Sequence, residues 1–289
     1  MDYLYFPGCT LGTKAKNLDQ SARDCSLLLG FELKELKNWV CCGAAFRLAS
    51  DDIMPLLGPA RILADAGEQG MTLTTLCAMC FNVIKRVNRL IQQNREKRDR
   101  INHLIQKNYQ GDVQILHYLE ILRQNVGFSQ LKEKTRKPLA GLKAAAYYGC
   151  MLLRPFEEMG FDDKEKPTLF EEFLGALGAK AIEFPYKIEC CGSFQSVGSP
   201  DVATECAYKI LSSAIKNGAE AIVSTCPMCT FNIDHKQSDI KQKYSDFKPI
   251  PVYYFTQLLG IALGLDYQTL GFAENAVDPL PLLKEKGLL

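Results

Sequence analysis

The chain has 289 residues, 47% apolar and 23% charged, with 34 Lys plus Arg against 33 Asp plus Glu and a net charge of +1. This composition excludes a disordered chain, and the charge balance argues against nucleic-acid or membrane-surface binding as a global habit. The length fits one large domain or two ordinary ones, with enough residues to bury a substantial core.

In chain order, residues 2–6 read as a short β-rich strand running into Cys9. Ala15, Leu18, Ala22, Cys25 and Leu28 then recur at helical spacing, and Gly30 suits the position just past a helix end. Residues 31–36 predict a strand leading to Cys41-Cys42-Gly43, residues 59–68 a helix, and residues 71–76 a strand that ends at Cys77. After Cys80 comes a helix with Val83, Ile84, Val87, Leu90 and Ile91 inward, then a strand at 113–117 and a helix to about Asn125. The second half repeats this order: a strand at 142–149, a helix through Leu169, Phe173 and Leu177 ending at Gly178, and a strand at 181–184. A helix through Ala203, Cys206, Ala207, Ile210 and Ala214 follows, then strands at 220–225 and 252–255.

Such alternation predicts an α/β fold with parallel strands and crossover helices. The expected architecture is two small domains related by a pseudo-twofold axis, each a short parallel sheet with flanking helices. The expected boundaries are 1–135, 140–270 and a C-terminal arm at 271–289, divided by a charged stretch containing Pro138. The start has neither a basic n-region nor a long apolar h-region, and the longest apolar stretch, 252–265, is broken by Thr256 and Gln257. Neither a signal peptide nor a membrane span is expected, and the cytoplasm is the expected compartment.

The twelve cysteines carry the strongest signal. Structural disulfides are rare in the cytosol, so clustered cysteines there point to metal binding or chemistry. The first half has Cys9, Cys41-Cys42-Gly43 and Cys77-Ala78-Met79-Cys80; the second has Cys150, Cys190-Cys191-Gly192 and Cys226-Pro227-Met228-Cys229. Between the Cys-Cys pair and the Cys-x-x-Cys lie 34 residues in both halves (43–76 and 192–225). Before the pair lie 31 residues (10–40) in one half and 39 (151–189) in the other. The first half carries about twelve extra residues after its Cys-x-x-Cys, within 85–110. Every one of these cysteines follows a predicted strand, and in a parallel sheet the C-terminal strand ends share one edge where sites are built.

Each half thus offers five thiols, whereas tetrahedral zinc and ordinary iron–sulfur clusters take four ligands. Either one cysteine per half is not a ligand or the metal centre is unusual. Adjacent cysteines suit a multi-iron cluster better than a single ion, although structural zinc remains an alternative. Gly43 and Gly192 let the backbone approach closely, and a Cys-x-x-Cys at a helix N-terminus favours thiolates. Cys25 and Cys206 have no counterparts and read as core residues.

Other features are weaker. His103, His117 and His235 belong to no motif, and His117 reads as a structural residue at a strand end. Residues 85–100 form a basic helix, read as a solvated face or a dock for an acidic partner. Little aromatic interleaving accompanies it, so no nucleic acid is expected. No G-x-G-x-x-G follows a strand and there is no Walker A motif, so flavin, nicotinamide or nucleotide binding has no support.

The duplicated Cys, Cys-Cys-Gly, Cys-x-x-Cys pattern is the signature of the cysteine-rich CCG domain. With two copies filling nearly the whole chain, the sequence resembles the B-type subunits of heterodisulfide reductases. Phe6-Pro7-Gly8-Cys9, Tyr148-Gly149-Cys150, Cys190-Cys191-Gly192, Cys226-Pro227-Met228-Cys229 and Thr256-Gln257-Leu258-Leu259-Gly260 carry the resemblance. It implies two noncubane [4Fe–4S] clusters, one on Cys9, Cys41, Cys42, Cys77 and Cys80 and one on Cys150, Cys190, Cys191, Cys226 and Cys229. It also implies reduction of a small disulfide, as in anaerobic methanogens. Electrons would come through an iron–sulfur C-type subunit from a flavin-bearing A-type subunit. Lys14, Arg47 and Arg154 are candidate cations for an anionic disulfide, and Phe46 and Phe194 candidate shapers of the pocket. Related subunits serve quinone-linked dehydrogenases, so an electron-relay role is the alternative.

Overall fold

The structure, a computed structural model, describes residues 2–44 and 52–289. The first half contains β1 (Tyr3–Tyr5), α1 (Lys16–Leu29), β2 (Leu33–Glu35), α2 (Met54–Gln69), β3 (Leu73–Thr75), α3 (Ala78–Gln93), α4 (Arg95–Ile105), β4 (Ile115–His117), α5 (Tyr118–Ile121) and α6 (Phe128–Lys134). The second contains β5 (Lys143–Tyr147), α7 (Phe156–Met159), α8 (Leu169–Ala176), β6 (Lys180–Ala181), α9 (Pro200–Lys216), β7 (Ala221–Ser224) and α10 (Pro227–Thr230). It ends with α11 (Gln237–Lys243), β8 (Val252–Tyr254), α12 (Phe255–Leu263) and α13 (Leu280–Glu285).

All strand pairs are parallel. The two sheets run β2-β1-β3-β4 and β6-β5-β7-β8, the same order in both halves. The strands are short, and apart from the edge strands β2 and β6 they are almost wholly buried, as expected where helices cover both faces of a parallel sheet. Registers match at the site-bearing ends: Thr75 pairs with His117 in one half and Ser224 with Tyr254 in the other.

α1 buries Leu18, Ala22, Cys25 and Leu29 on one face and stops at Gly30, whose φ of 92° few other residues tolerate. Every residue of α12 is buried. A helix apolar all round must be enclosed, and α12 packs against α1 of the other half. This accounts for the apolar stretch at 252–265. At that seam Ser21 Oγ and Thr256 Oγ1 lie 2.6 Å apart and Cys25 Sγ lies 3.7 Å from the Thr256 carbonyl, so Cys25 is the core residue expected.

The two differences in spacing become two additions. The eight further residues between Cys150 and Cys190 build α7 and the turn around residues 160–168. The insertion after Cys80 is α4, separated from α3 at Asn94, whose side chain accepts from Lys97 N and caps the second helix. The expected single basic helix is therefore two helices. Lys85 and Arg89 are not a solvated face: they bond the carbonyls of Met159 and Glu157 in the α7 segment.

Some boundaries also differ. α2 begins at Met54 rather than near residue 59, because Pro55 fits the first helical turn and Pro59 is accommodated inside. The strand expected at 181–184 shrinks to Lys180–Ala181, an edge position with one partner. The C-terminal arm packs on the second sheet: Tyr253 Oη donates to the Pro279 carbonyl at 2.9 Å, and Lys286 pairs with Glu220 at 2.8 Å. Among the described residues, no helix is long and apolar enough to cross a membrane.

Candidate metal centre

The repeated cysteines gather at the C-terminal ends of the strands. Cys9 lies in the turn after β1, Cys41 and Cys42 in the loop after β2, and Cys77 caps α3 with Cys80 in its first turn. Cys150 follows β5, Cys190 and Cys191 precede Gly192, and Cys226 caps α10 with Cys229 inside it. All twelve cysteines are unbridged.

In the first set, Cys41 Sγ lies 3.8 Å from Cys9 Sγ, and Cys42 Sγ lies 3.4 Å from Cys80 Sγ. In the second, Cys191 Sγ lies 3.4 Å from Cys229 Sγ, and Cys150 and Cys190 lie close enough to perturb one another. The Gly43 and Gly192 N–H groups donate to Cys41 and Cys190 sulfur at 3.4 and 3.3 Å. Both glycines have positive φ, 74° and 75°, which turns the N–H back onto the preceding thiol. The two sets approach each other: Cys77 and Cys226, equivalent residues of the two halves, lie close enough to perturb one another's ionisation. Each set has a buried floor and an open lip, with Cys9, Cys41 and Cys190 exposed.

The thiols perturb each other. Contact with Cys80 pulls Cys42 down to about 7, and contact with Cys226 and Cys80 holds Cys77 well below a normal thiol. Contact with Cys150 draws Cys190 down to about 2, while Cys190 drives Cys191 up to about 12. Cys80 and Cys229 are raised, chiefly by contact with their neighbours Cys42 and Cys77, and Cys191 and Cys226, and then by burial. Crowded, desolvated thiols cannot all ionise alone. A multivalent cationic core would let them do so, because coordinated thiols are deprotonated outright.

Three further observations test whether the residues fit such a group. The donors are all soft thiolates, which suit iron–sulfur or zinc. A Cβ on Gly8 would sit 2.8 Å from Cys80 Sγ, and one on Gly149 3.2 Å from Cys229 Sγ, so glycine leaves the sulfurs room. Among the described residues, the buried side-chain polar atoms without a hydrogen-bond partner are Thr74 Oγ1, Thr75 Oγ1, Asn82 Oδ1, Thr225 Oγ1 and Thr230 Oγ1. Thr74, Thr75 and Thr225 lie within three residues of Cys77 or Cys226, where a bound anionic cluster would give their hydroxyls an acceptor. Among the described residues, no group of three or more His, Cys, Asp or Glu side chains is arranged to hold a metal ion as it stands. Five soft donors per half suit a polynuclear group better than a four-coordinate ion.

The other candidates divide. His117 is structural: Nε2 meets the Leu76 carbonyl at 2.9 Å, Nδ1 accepts from Leu119 N, and burial pushes it down to about 3. Cys206 departs from the core reading, since its Cβ and Sγ lie 3.3 and 3.4 Å from where a Gly192 Cβ would stand. Arg154 sits over the Phe156 ring at 5.9 Å, and Phe194 is exposed. Lys14 lines a cavity beside the second set. Phe46 and Arg47 lie outside the described residues. Sequence reasoning missed Tyr147, which is buried and raised by that burial and by Cys229, Cys191, Cys150 and Cys190 around it. It also missed Tyr254, the counterpart of His117.

Fold and site together define a duplicated α/β protein that gathers two sets of five cysteines at the C-terminal ends of its strands. The chain belongs to the CCG family, described as a cysteine-rich domain, which it matches at residues 3–85 and 144–234. It is 33% identical over 284 residues to the 8-methylmenaquinol:fumarate reductase membrane anchor subunit of Wolinella succinogenes, covering 97% of this chain and 99% of that one. It is 29% identical over 286 residues to the B subunit of the ferredoxin:CoB-CoM heterodisulfide reductase of Methanosarcina mazei, with 96% and 94% covered. It is 30% identical over 277 residues to a protein of Archaeoglobus profundus named for its likeness to the B subunit of heterodisulfide reductase, with 91% of each covered. A crystal structure of a hypothetical protein from Helicobacter pylori shares the fold, with TM-score 0.75 and 15% identity; 95% of this chain spans 51% of that one.

Proposed function

We propose that this chain is the electron-transferring subunit of a heterodisulfide-reductase-like complex and reduces a small disulfide. Cys9, Cys41, Cys42, Cys77 and Cys80 would hold one noncubane [4Fe–4S] cluster, and Cys150, Cys190, Cys191, Cys226 and Cys229 the other. When bound, two such clusters supply two one-electron steps, the number that cleavage of an S–S bond consumes. The observation that carries this reading is the gathering of sulfurs within each repeat, Cys41 on Cys9 and Cys42 on Cys80 in one and Cys191 on Cys229 in the other.

The protein's own part is to hold and shield. Helix N-termini at Cys77 and Cys226 favour thiolate ligands. The Gly43 and Gly192 amides bond the lip sulfurs. Tyr147 closes the floor of the second set, its hydroxyl tied to the Glu189 carbonyl at 2.7 Å. The partners would be the flavin-bearing and iron–sulfur subunits of the same complex, in keeping with relatives that are named as reductase subunits.

A second reading, electron relay in a quinone-linked complex, is favoured by the likeness to the W. succinogenes protein. Anaerobic analysis should find about eight irons with matching acid-labile sulfide per chain; two zincs without sulfide would defeat both readings. Oxidation of the pre-reduced protein by added disulfide supports the first reading, and indifference to disulfide supports the second.

A further inference from the structure

Beside the second cysteine set lies a cavity of about 450 Å³, a volume typical of small-molecule sites. Lys14 from the Cys9 loop forms one wall, and Met228, Thr230, Phe231, His235 and Tyr254 form the others. We propose that this cavity binds the ring of a quinone. The proposal rests on the two-cluster reading above but not on disulfide reduction.

Position comes first. Thr10, next to Cys9, and Pro227 and Met228, between Cys226 and Cys229, all line the cavity. A ligand there would lie a residue or two from ligands of both sets. Tyr254 stands between cavity and junction, close enough to Cys226 and Cys77 to feel their charge.

Hydrogen bonding comes second. Thr230 Oγ1 is buried without a partner. The Tyr254 hydroxyl lies beside it without completing a bond of good geometry. Thr230, Tyr254, His235 and Lys14 can all donate. Such a wall calls for an oxygen acceptor, as a quinone carbonyl provides, whereas divalent sulfur accepts weakly.

Shape and charge come third. The Phe231 ring, 47% exposed, leans on His235 at 5.2 Å and 31°, giving a flat face for a planar ligand. Lys14 is offset by Glu274 in the same wall, and Asp234 is occupied by the Ala276 and Val277 amides. The balance suits a neutral ligand better than an anionic disulfide.

Finally, the equivalent place in the other half is filled. His117, the counterpart of Tyr254, is enclosed by Phe81 and Phe161, with ring centroids at 5.5 and 5.7 Å. Asn82 binds the Met151 and Arg154 carbonyls at 2.8 and 2.6 Å and draws the segment before α7 over the spot. The π-helical turn Phe231–His235 has no counterpart in the straight α3, and it is what brings Phe231 and His235 to the cavity.

The test is equilibrium binding of menadione to the anaerobic holoprotein, with iron and sulfide measured on the same sample. One menadione per chain is expected, weakened about tenfold by Tyr254→Phe and by Phe231→Ala without change in iron. Phe231 is a surface residue, so its variant keeps the test open should Tyr254→Phe not fold. Absence of binding in an iron-replete sample, or binding indifferent to both variants, overturns the cavity assignment. So does a cavity whose variants weaken dithiodiglycolate binding instead. Phe231-sensitive binding in a sample without iron keeps the cavity and overturns the cluster reading.

Discussion

Cys77 and Cys226 lie near enough to shift each other's ionisation, and because they are equivalent residues of the two halves they do so near the pseudo-twofold axis. Each is also the cap of the helix that carries its set's next ligand. Replacing one should therefore be felt on both sides. Cys226→Ser should cost about four of about eight irons per chain and alter the paramagnetic spectrum of the cluster that stays. A spectrum of the remaining cluster identical to wild type would show that the two sets are electronically separate.

The glycines before Cys9 and Cys150 give a graded prediction. Both have positive φ, 76° and 64°, so alanine is strained at either by roughly 1 kcal/mol. Their surroundings differ: the added Cβ would stand 2.8 Å from Cys80 Sγ but 3.2 Å from Cys229 Sγ. Gly8→Ala should deplete iron from the first set, while Gly149→Ala should retain most of its iron. Iron and sulfide analysis of the two variants decides the order.

The sequence announces the duplication, the alternation of strands and helices and the ten gathered cysteines because each rests on local pattern: spacing, alternation and glycines at turns. What it hides depends on contacts between distant segments. Lys85 and Arg89 look like solvent-facing charge until the α7 segment lays its carbonyls across them. Tyr254 looks like a strand residue until the register sets it opposite His117's place in the other sheet. Cys206 has the right period for a core position, yet the turn at Gly192 brings the second set beside it.

His117 makes stability depend on acid. Burial pushes it down to about 3, whereas an imidazole in the unfolded chain takes a proton below about 6.5. Between those values the unfolded state holds more protons, so this contribution is complete above about 6.5 and is lost as pH falls towards 3, at up to about 1.4 kcal/mol per unit. His117→Gln keeps a donor for the Leu76 carbonyl and removes the titration. The thermal midpoint should fall less in this variant than in wild type between about pH 7.5 and about pH 5. Equal falls would mean that His117 is reached by solvent in the native state.

The seam between the halves supplies the last expectation. Ser21 Oγ donates to the Asn17 carbonyl one turn back, which leaves its oxygen to accept from Thr256 Oγ1 at 2.6 Å. Thr256 has as its other acceptor the Leu18 carbonyl at 3.5 Å, a long contact. Removing Ser21 therefore strands a buried donor, a loss of about 1–3 kcal/mol. Thr256→Val keeps the shape and strands only an acceptor whose hydroxyl is already bonded, so it should cost less. The double variant Ser21→Ala with Thr256→Val should cost less than the sum, with a coupling of about 0.5–1.5 kcal/mol. Hydrogen exchange of the α1 and α12 amides reads this locally, because a weakened seam opens there first. Strict additivity would mean that α1 and α12 are held by apolar packing alone.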